Sequence, residues 1–221
     1  DGAHWLVTLP PDEDGCPAAR VATYAEPGAA SVTYLSTTGV YGDLGGGWAM
    51  EWSPVNPGSD RARARVLAEQ QWMDATDGAA RIVRLPGIYG PGRSPFGKLR
   101  EGKAHRAVKP GQVFSRVHVD DIACGLEALL NRPDLHGIFH LCDDLPAPPQ
   151  DVTAFAADLL QMTPPPEVPF EAAGLSPMAK SFYAECKRVS NARAKAALGW
   201  RPLYPTYREG LRAVLAAEEG R

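Results

Sequence analysis

The sequence predicts an α/β fold in which a parallel sheet carries helices on both faces. Apolar runs of strand length alternate along the chain with segments of helical period, and this alternation implies right-handed crossover connections. The chain has 221 residues, of which 44% are hydrophobic and 22% are charged. This is the composition of an ordinary globular protein with a large core.

Four apolar runs, rich in β-forming residues and ended by proline or by polar residues, are the predicted strands. They are residues 4–10 (HWLVTLP), 30–36 (ASVTYLS), 80–86 (ARIVRLP) and 137–142 (GIFHLC). Ligands bind at the carboxyl ends of parallel strands. The predicted binding region is therefore formed by the loops at residues 10–14, 36–47 and 86–93.

Two long helices are predicted from capping and periodicity. The first spans residues 59–75, because Ser59 or Asp60 can cap its start and its interior contains no glycine or proline. Its buried face is predicted to consist of Val66, Leu67, Gln70 and Met73. The second helix spans residues 120–131, where isoleucine and leucine recur at helical spacing.

A change of composition after Cys142 predicts a smaller second region. Two proline-rich stretches, PAPPQ and TPPPEVP, surround a helix near residues 151–160, and short helices follow. We predict a main domain at residues 1–145 and a C-terminal cap, which supplies one wall of a cleft, at residues 146–221.

Composition excludes several classes of partner. The net charge of −3 and the scattered arginines give no basic surface for nucleic acid. The four cysteines lie far apart without a C-x-x-C pair, which argues against a zinc site or a disulfide framework and indicates a reducing compartment. No apolar stretch has the length of a membrane span and no signal-peptide pattern is found, so a cytoplasmic protein without a membrane partner is expected.

Five segments in a fixed order carry a resemblance to a known family. They are YLSTTGVYGD, SPVNPGSDRARARVLAE, RIVRLPGIYGPGR, VHVDDIACGLEALL and NARAKAALGWRPLYPTYREGL. Together they resemble the extended short-chain dehydrogenase/reductases of the NAD-dependent epimerase/dehydratase family. The resemblance implies a Rossmann-like, doubly wound parallel sheet, NAD or NADP as cofactor of the complete protein, and a small-molecule substrate that reacts at a hydroxyl or carbonyl group.

The family's cofactor-binding start has no counterpart in this sequence. Its members open with a strand, a glycine-rich turn and a helix whose N-terminus holds the pyrophosphate of the dinucleotide. The glycine cluster at residues 43–48 (DLGGGW) opens no apolar helix and is rejected as that turn. We therefore expect that the first three strands and the glycine-rich turn are missing, and that the chain is truncated or incompletely recorded.

The family's proton-transfer pair is also replaced. A tyrosine and a lysine four residues later lie on one helix face in the family and act as acid or base beside the cofactor. Counting back from Ala68 and Glu69, the matching positions are Arg61 and Arg65. Arginine stays protonated and cannot exchange the proton, so Arg65 is predicted to bind the cofactor and Arg61 the substrate.

Hydroxyl groups after the second strand are candidates for the missing acid. Thr37 and Thr38 match the family's substrate-orienting positions, and Tyr41 follows in the same loop, so these three are the predicted catalytic residues. Nearby arginine charge is predicted to lower the pKa of Tyr41. Ser36 is a predicted cofactor contact. The alternatives are a capped turn for the short hydroxyls, simple packing for Tyr41, and Tyr89 as the acid.

The remaining loops supply further predicted contacts. By resemblance, the cofactor is contacted by Pro10, Pro11, Pro86, Gly87, Ile88 and Tyr89, with a proline-glycine turn as the alternative for the last four. Arg93 and Arg116 are candidate contacts of an anionic substrate. Phe114 stands where the sugar-nucleotide members carry an arginine for the diphosphate, which argues against a nucleotide-sugar substrate.

No metal site is predicted. Asp120 and Asp121 begin a helix, where carboxylates interact with the positive end of its dipole, and His118 is predicted to be a hydrogen-bonded structural histidine. His136 and His140 lack the glutamate of a zinc motif. Three functions stay open: an atypical NAD(P)-dependent oxidoreductase, a non-catalytic dinucleotide or metabolite sensor, and a structural or partner-binding module.

Overall fold

The computed structural model describes residues 2–22 and 29–220. The strands are β1 (Ala3–Val7), β2 (Ala29–Thr37), β3 (Trp48–Ala49), β4 (Arg81–Leu85), β5 (Gly87–Tyr89), β6 (Arg106–Val108), β7 (Arg116–His118), β8 (Gly137–His140), β9 (Glu167–Pro169) and β10 (Arg188–Val189). The helices are α1 (Pro17–Ala22), α2 (Asp60–Ala75), α3 (Pro95–Arg100), α4 (Val119–Leu130), α5 (Pro149–Leu159), α6 (Pro177–Tyr183), α7 (Ala192–Leu198) and α8 (Tyr207–Glu218).

A parallel sheet with the strand order β1-β2-β4-β8 forms the centre of the molecule. Every neighbouring pair in it is parallel, and α2 makes the crossover from β2 to β4. The four central strands are the four that the apolar runs predict, so the α/β class and the Rossmann-like parallel sheet are confirmed. Three small parallel pairs, β3 with β10, β5 with β7 and β6 with β9, lie beside this sheet.

A hydrophobic core covers each face of the sheet. One core lies against α1 and α2 and contains the buried rings of Tyr34 and Trp72, whose centroids are 6.4 Å apart. The other lies against α4 and α7 and contains Val83, Leu129 and Phe139. Each large apolar side chain stabilises this layering by about 1.5–3 kcal/mol when it leaves water. In the described part of the chain, no helix combines the length and the apolar character needed to cross a bilayer.

A third core connects the C-terminal helices to the rest of the molecule. Residues of α5 and α8 pack there against Phe96 of α3 and Tyr89 of β5. Gly210 of α8 lies so close to Tyr89 that a Cβ atom at this position would be 1.9 Å from the tyrosine oxygen. The C-terminal region therefore shares a core with elements that precede residue 145, and the domain boundary at that residue stays a prediction.

The bounds of α2 agree with the prediction, but only two of the four residues of its predicted buried face, Val66 and Met73, pack against a core. Ser59 caps the helix by accepting a hydrogen bond from the Ala62 N–H. The buried residues are Ala62, Ala68, Glu69 and Trp72, whereas Leu67 is 42% exposed and Gln70 is exposed as well. The buried side of the helix thus carries two alanines, a tryptophan and one carboxylate. That carboxylate, of Glu69, is paired with the buried Arg84 of β4.

Candidate functional site

A cavity of about 320 Å³ lies between the loop after β1 and the first turns of α2. Its lining residues are Pro10, Pro11, Asp12, Glu13, Asp60, Arg61, Ala64 and Arg65. The structure therefore brings together two predicted cofactor contacts from the loop and both arginines that replace the family's tyrosine and lysine. The cavity opens at the carboxyl end of β1, the edge of a parallel sheet where ligands bind.

Arg65 is partly fixed by the strand that it faces. Its Nη1 atom donates to the hydroxyl of Tyr34 and to the carbonyl of Leu35, both at 2.9 Å, and its guanidinium lies 5.5 Å from the centre of the Tyr34 ring. Burial raises the pKa of Tyr34 to about 12, so this phenol stays neutral. The other nitrogens of Arg65 have no hydrogen-bond partner in the described part of the chain and remain available to a ligand.

Arg61 differs from its neighbours in having no partner. It is exposed, lines the cavity one helical turn before Arg65, and makes no hydrogen bond or ion pair within residues 2–22 and 29–220. Arg63, between the two, is paired with Asp60. The free guanidinium of Arg61 therefore has its full set of donors available at the mouth of the cavity.

Three carboxylates that sequence reasoning missed also line the cavity. Both oxygens of Asp12 accept hydrogen bonds from Arg20 at 2.8 Å, and this contact lowers the pKa of Asp12. Asp60 is paired with Arg63, whereas Glu13 is exposed and has no partner among the described residues. Asp12 and Glu13 directly follow the prolines after β1, so their place in the loop was the signal that could have identified them.

Ser36 and Thr37, two of the predicted hydroxyl residues, have hydrogen-bond partners within the protein. The Ser36 hydroxyl donates to the buried carboxylate of Glu69, and the Thr37 hydroxyl accepts from the Gly39 N–H at 3.1 Å, which caps a short 3₁₀ helix at residues 38–41. Thr38 is buried. None of the three lines the cavity, and their arrangement matches the capped turn that was the alternative. Their catalytic and cofactor roles stay predictions.

The predicted lowering of the Tyr41 pKa is wrong. Tyr41 is 0% exposed, its oxygen accepts a hydrogen bond from Arg84 Nη1 at 2.7 Å, and it lies 2.7 Å from His140 Nε2. Burial raises the pKa of Tyr41 to about 12 and outweighs the opposite effect of the Arg84 charge. With a hydroxyl enclosed between two side chains, Tyr41 does not reach a ligand in the cavity.

Tyr41 belongs to a buried polar network that joins β2, α2, β4 and β8. Arg84 donates to both oxygens of Glu69, from Nε at 3.0 Å and from Nη2 at 2.6 Å. His140 Nδ1 lies 2.9 Å from the Ser190 carbonyl, which can only accept, so Nδ1 carries the proton and donates it to this hydrogen bond. His140 Nε2 therefore accepts a hydrogen bond from the Tyr41 hydroxyl. Burial lowers the pKa of His140 to about 4, which keeps the ring neutral. An arginine within an apolar strand was the sequence signal for this network.

The run after β4 forms a strand rather than an open loop. Residues 87–89 pair with β7, and the Gly87 N–H donates to the Ser115 carbonyl at 3.3 Å. Tyr89 is buried, and burial raises its pKa well above the usual value, so it is not an exposed acid. Neither Pro86 nor residues 87–89 line the cavity, and their contacts with a cofactor stay predictions.

The other predicted substrate residues lie outside the cavity lining. Arg93 is exposed in the tight turn at residues 90–93. Arg116 Nη1 donates to the carbonyls of Phe114 and Ala147, at 2.8 and 3.1 Å. One of the two terminal nitrogens of Arg116 therefore binds backbone carbonyls. Substrate binding by Arg93 or Arg116 stays a prediction.

The remaining polar residues make structural contacts, and the prediction that His118 is a hydrogen-bonded structural histidine is confirmed. His118 Nδ1 accepts from the Asp120 N–H and caps α4, and the carboxylate of Asp121 accepts from the N–H groups of Leu203 and Tyr204. The glycine cluster forms a turn in which the Gly46 N–H donates to the Cys186 carbonyl at 2.9 Å, and it opens no helix. Within the described ranges, no group of three or more histidine, cysteine or acidic residues could hold a metal ion.

Comparisons with known proteins agree with this architecture. A conserved protein of unknown function from Silicibacter pomeroyi DSS is 49% identical, with a TM-score of 0.91, over 98% of this chain and 78% of its own. A Methylobacillus flagellatus protein described as an NAD-dependent epimerase/dehydratase is 26% identical, with a TM-score of 0.68, over 88% and 66% of the two chains. MoeE5 in complex with UDP-glucose and NAD has a TM-score of 0.77 at 17% identity, over 99% and 79%, which shows the fold alone.

A curated relative adds a chemical activity to these structural neighbours. The 3-diazoavenalumate denitrifying reductase of a Streptomyces species is 31% identical over 165 residues, which are 68% of this chain and 52% of that protein. The chain thus spans about half the length of the curated relatives that it matches. No family model matches the chain.

Proposed function

Because this chain belongs to the NAD-dependent epimerase/dehydratase family of the extended short-chain dehydrogenase/reductases, we propose that the full-length protein is an atypical NAD(P)-dependent oxidoreductase acting on a small metabolite. The observation that carries the proposal is the cavity that joins Pro10 and Pro11 to Arg61 and Arg65 at the carboxyl end of β1. The likeness to a Methylobacillus flagellatus protein described as an NAD-dependent epimerase/dehydratase and the reductase activity named for the Streptomyces relative support it.

The residues present fit one end of a dinucleotide. A cavity of about 320 Å³ with two proline walls and the free donors of Arg65 suits a nicotinamide and its ribose. Pro10, Pro11 and Arg65 would hold that end, and the bound cofactor would supply hydride chemistry there. No glycine-rich turn that opens a helix occurs among the described residues, so a pyrophosphate has no holder in that part of the chain.

The proposed enzyme works without a phenol beside the cofactor. Arg61 cannot exchange a proton at working pH, and Tyr41 and Tyr89 are buried with raised pKa values. We propose that Arg65 orients the cofactor, and that any proton required comes from water or from a carboxylate such as Glu13. The chain's own residues then contribute binding and orientation rather than a tyrosine acid.

The second candidate function is a sensor that binds the dinucleotide or a metabolite and does not turn it over. The lining of the cavity favours it, because neither Arg61 nor Arg65 can exchange a proton at working pH and neither Tyr41 nor Tyr89 lines the cavity. An enzyme and a sensor share the binding step and differ only in chemistry.

Titration of the full-length protein with NADH and NADPH, followed by nucleotide fluorescence, tests the proposal. We expect saturable binding of at least one of the two. A substrate screen with the bound nucleotide then separates the candidates: oxidation of the nucleotide by a small carbonyl or diazo compound supports the enzyme, and binding without turnover across the screen supports the sensor. Absence of binding to both nucleotides would contradict both functions.

A further inference from the structure

We infer that Arg61 recognises a carboxylate or phosphate group on a small organic substrate whose apolar part lies beside Ala64 at the mouth of the cavity. This inference rests on the proposed function, because it assigns the substrate class of the same cavity. It begins from the state of Arg61, an exposed arginine at the mouth of the cavity without a partner in the described part of the chain.

The two arginines of the cavity repel each other unless an anion lies near them. Arg61 and Arg65 are four residues apart on α2, so their side chains share one helix face, and like charges at this spacing are unfavourable. Arg61 lies in the first turn, where the positive end of the helix dipole adds to its field. An anionic group at the cavity mouth would be attracted by all three.

The acidic residues of the lining leave this attraction in place. Asp12 is paired with Arg20 and Asp60 with Arg63, so neither carboxylate is bound to Arg61 or Arg65. Glu13 is the lining carboxylate without such a pair among the described residues. Arg61 and the free donors of Arg65 therefore face one uncompensated negative charge, and a bound anion can compete with it.

The walls of the cavity indicate what carries the anion. Pro10, Pro11 and Ala64 present apolar surface beside the guanidinium groups. Planar guanidinium forks bind carboxylate and phosphate in a two-point geometry, and they stack on flat apolar rings. The nicotinamide end assigned to Pro10, Pro11 and Arg65 leaves Ala64 and Arg61 to a small second ligand, of the size of a substituted benzoate. The class of ligand is thus a small, preferably planar, organic anion.

Benzoate and its uncharged analogue benzamide provide a matched pair of probes. Binding to the full-length protein is measured by ligand-observed NMR at low ionic strength, with the nucleotide affinity measured in parallel by fluorescence. We expect benzoate to bind at least about fivefold more tightly than benzamide, and Arg61→Ala to abolish that preference, which is the scale of a charge-assisted contact at an exposed site. Glu13→Gln should strengthen benzoate binding.

Arg132→Ala is the matched control, because it removes an exposed arginine whose ion-pair partner, Asp134, also lies outside the cavity lining. It should leave the preference for benzoate unchanged. Equal losses in Arg61→Ala and Arg132→Ala, or no preference for benzoate in the unaltered protein, would overturn the inference.

Two further measurements distinguish a failure of this inference from a failure of the proposed function. Benzoate should still bind when the nucleotide is saturating, and Arg61→Ala should keep nucleotide affinity within about twofold. Competition between benzoate and nucleotide would assign the anion site to the cofactor's phosphates and contradict a substrate role. Failure of nucleotide binding with an intact benzoate preference would contradict the proposed function and leave the anion site standing.

Discussion

Tyr41 lies against an arginine and is nevertheless a weaker acid than a free tyrosine. The Arg84 guanidinium is 4.8 Å from the centre of its ring and donates to its oxygen, as the sequence-based expectation of a nearby positive charge required. Yet Arg84 is itself paired with Glu69, and complete burial penalises the phenolate more than the arginine favours it. Sequence reasoning predicted a positive charge near Tyr41 but identified neither Arg84 as its source nor the depth at which the two side chains meet.

We expect Tyr41→Phe to act mainly on stability. The substitution leaves Arg84 Nη1 without its acceptor and His140 Nε2 without its donor in a buried site, which costs about 1–3 kcal/mol in the free energy of unfolding. Urea denaturation measures this loss. If the variant instead kept its stability and lost about 10²-fold in turnover, the catalytic role first predicted for Tyr41 would be restored.

Arg65 is expected to bind the cofactor rather than transfer a proton. In the full-length protein, Arg65→Ala should weaken nucleotide binding about tenfold or more, whereas Arg65→Lys should stay within a few-fold, because a lysine retains the charge and one donor. Fluorescence titration gives both affinities, and thermal unfolding checks whether loss of the contacts with Tyr34 and Leu35 disturbs the fold. Equal affinities for Arg65→Ala and the unaltered protein would remove Arg65 from the site.

Asp143 is expected to make stability fall as pH rises. Burial raises its pKa from 3.8 to about 8, so between these values the folded protein holds a proton that the unfolded chain has released. Unfolding therefore becomes more favourable with increasing pH across this window, by up to about 1.4 kcal/mol per pH unit for a single group. His140 has the opposite sign, but only between about pH 4 and 6.5, because its folded pKa is lowered.

Asp143→Asn isolates the carboxyl. The free energy of unfolding of the variant, minus that of the unaltered protein, should increase by about 1 kcal/mol or more from pH 5 to pH 8. Urea denaturation at each pH measures this difference. An identical pH dependence in both proteins would show that Asp143 is ionised in the folded state.

At the scale of elements, periodicity predicted where α2 lies and not which way it faces. Its start follows from Ser59 and its length from the absence of glycine and proline, both local properties of the chain. Its orientation depends on the pairing of Glu69 with Arg84, residues that meet only after β4 has joined the sheet. A hydrophobic scale places both charges outside, so the face drawn through Leu67 and Gln70 could not be corrected from the sequence.

The Glu69–Arg84 pair is expected to hold α2 against the sheet. Glu69→Gln should lower the free energy of unfolding by about 3 kcal/mol or more, because it leaves Arg84 charged, buried and without its carboxylate. Replacing both residues by methionine should recover much of the loss. Asp60→Asn, which removes an exposed ion pair of the same helix, should change stability far less. A Glu69→Gln protein as stable as Asp60→Asn would show that the pair does not anchor the helix.

At the scale of the whole molecule, topology explains which site residues the sequence could assemble. The rule that ligands bind beyond the carboxyl ends of parallel strands places the loop after β1 beside the start of α2, and four predicted residues do line one cavity there. The same rule puts residues 36–41 and 86–89 at this edge, where burial and pairing with β7 turn their side chains elsewhere. The edge of the sheet at which a loop lies can thus be predicted from the sequence. The direction of each side chain in that loop is set by the packing of the core and cannot.

The cofactor prediction also belongs to the whole molecule. A dinucleotide needs a site for its pyrophosphate as well as one for its nicotinamide, and the described residues contain the proposed nicotinamide site but no glycine-rich turn that opens a helix. We therefore expect residues 1–221, expressed alone, to bind NAD and NADP only weakly, with dissociation constants well above the micromolar range. Calorimetry measures this directly, and nicotinamide riboside serves as a control that requires no pyrophosphate site. Micromolar affinity of the 221-residue chain for NAD would contradict the prediction and would mean that other backbone N–H groups hold the pyrophosphate.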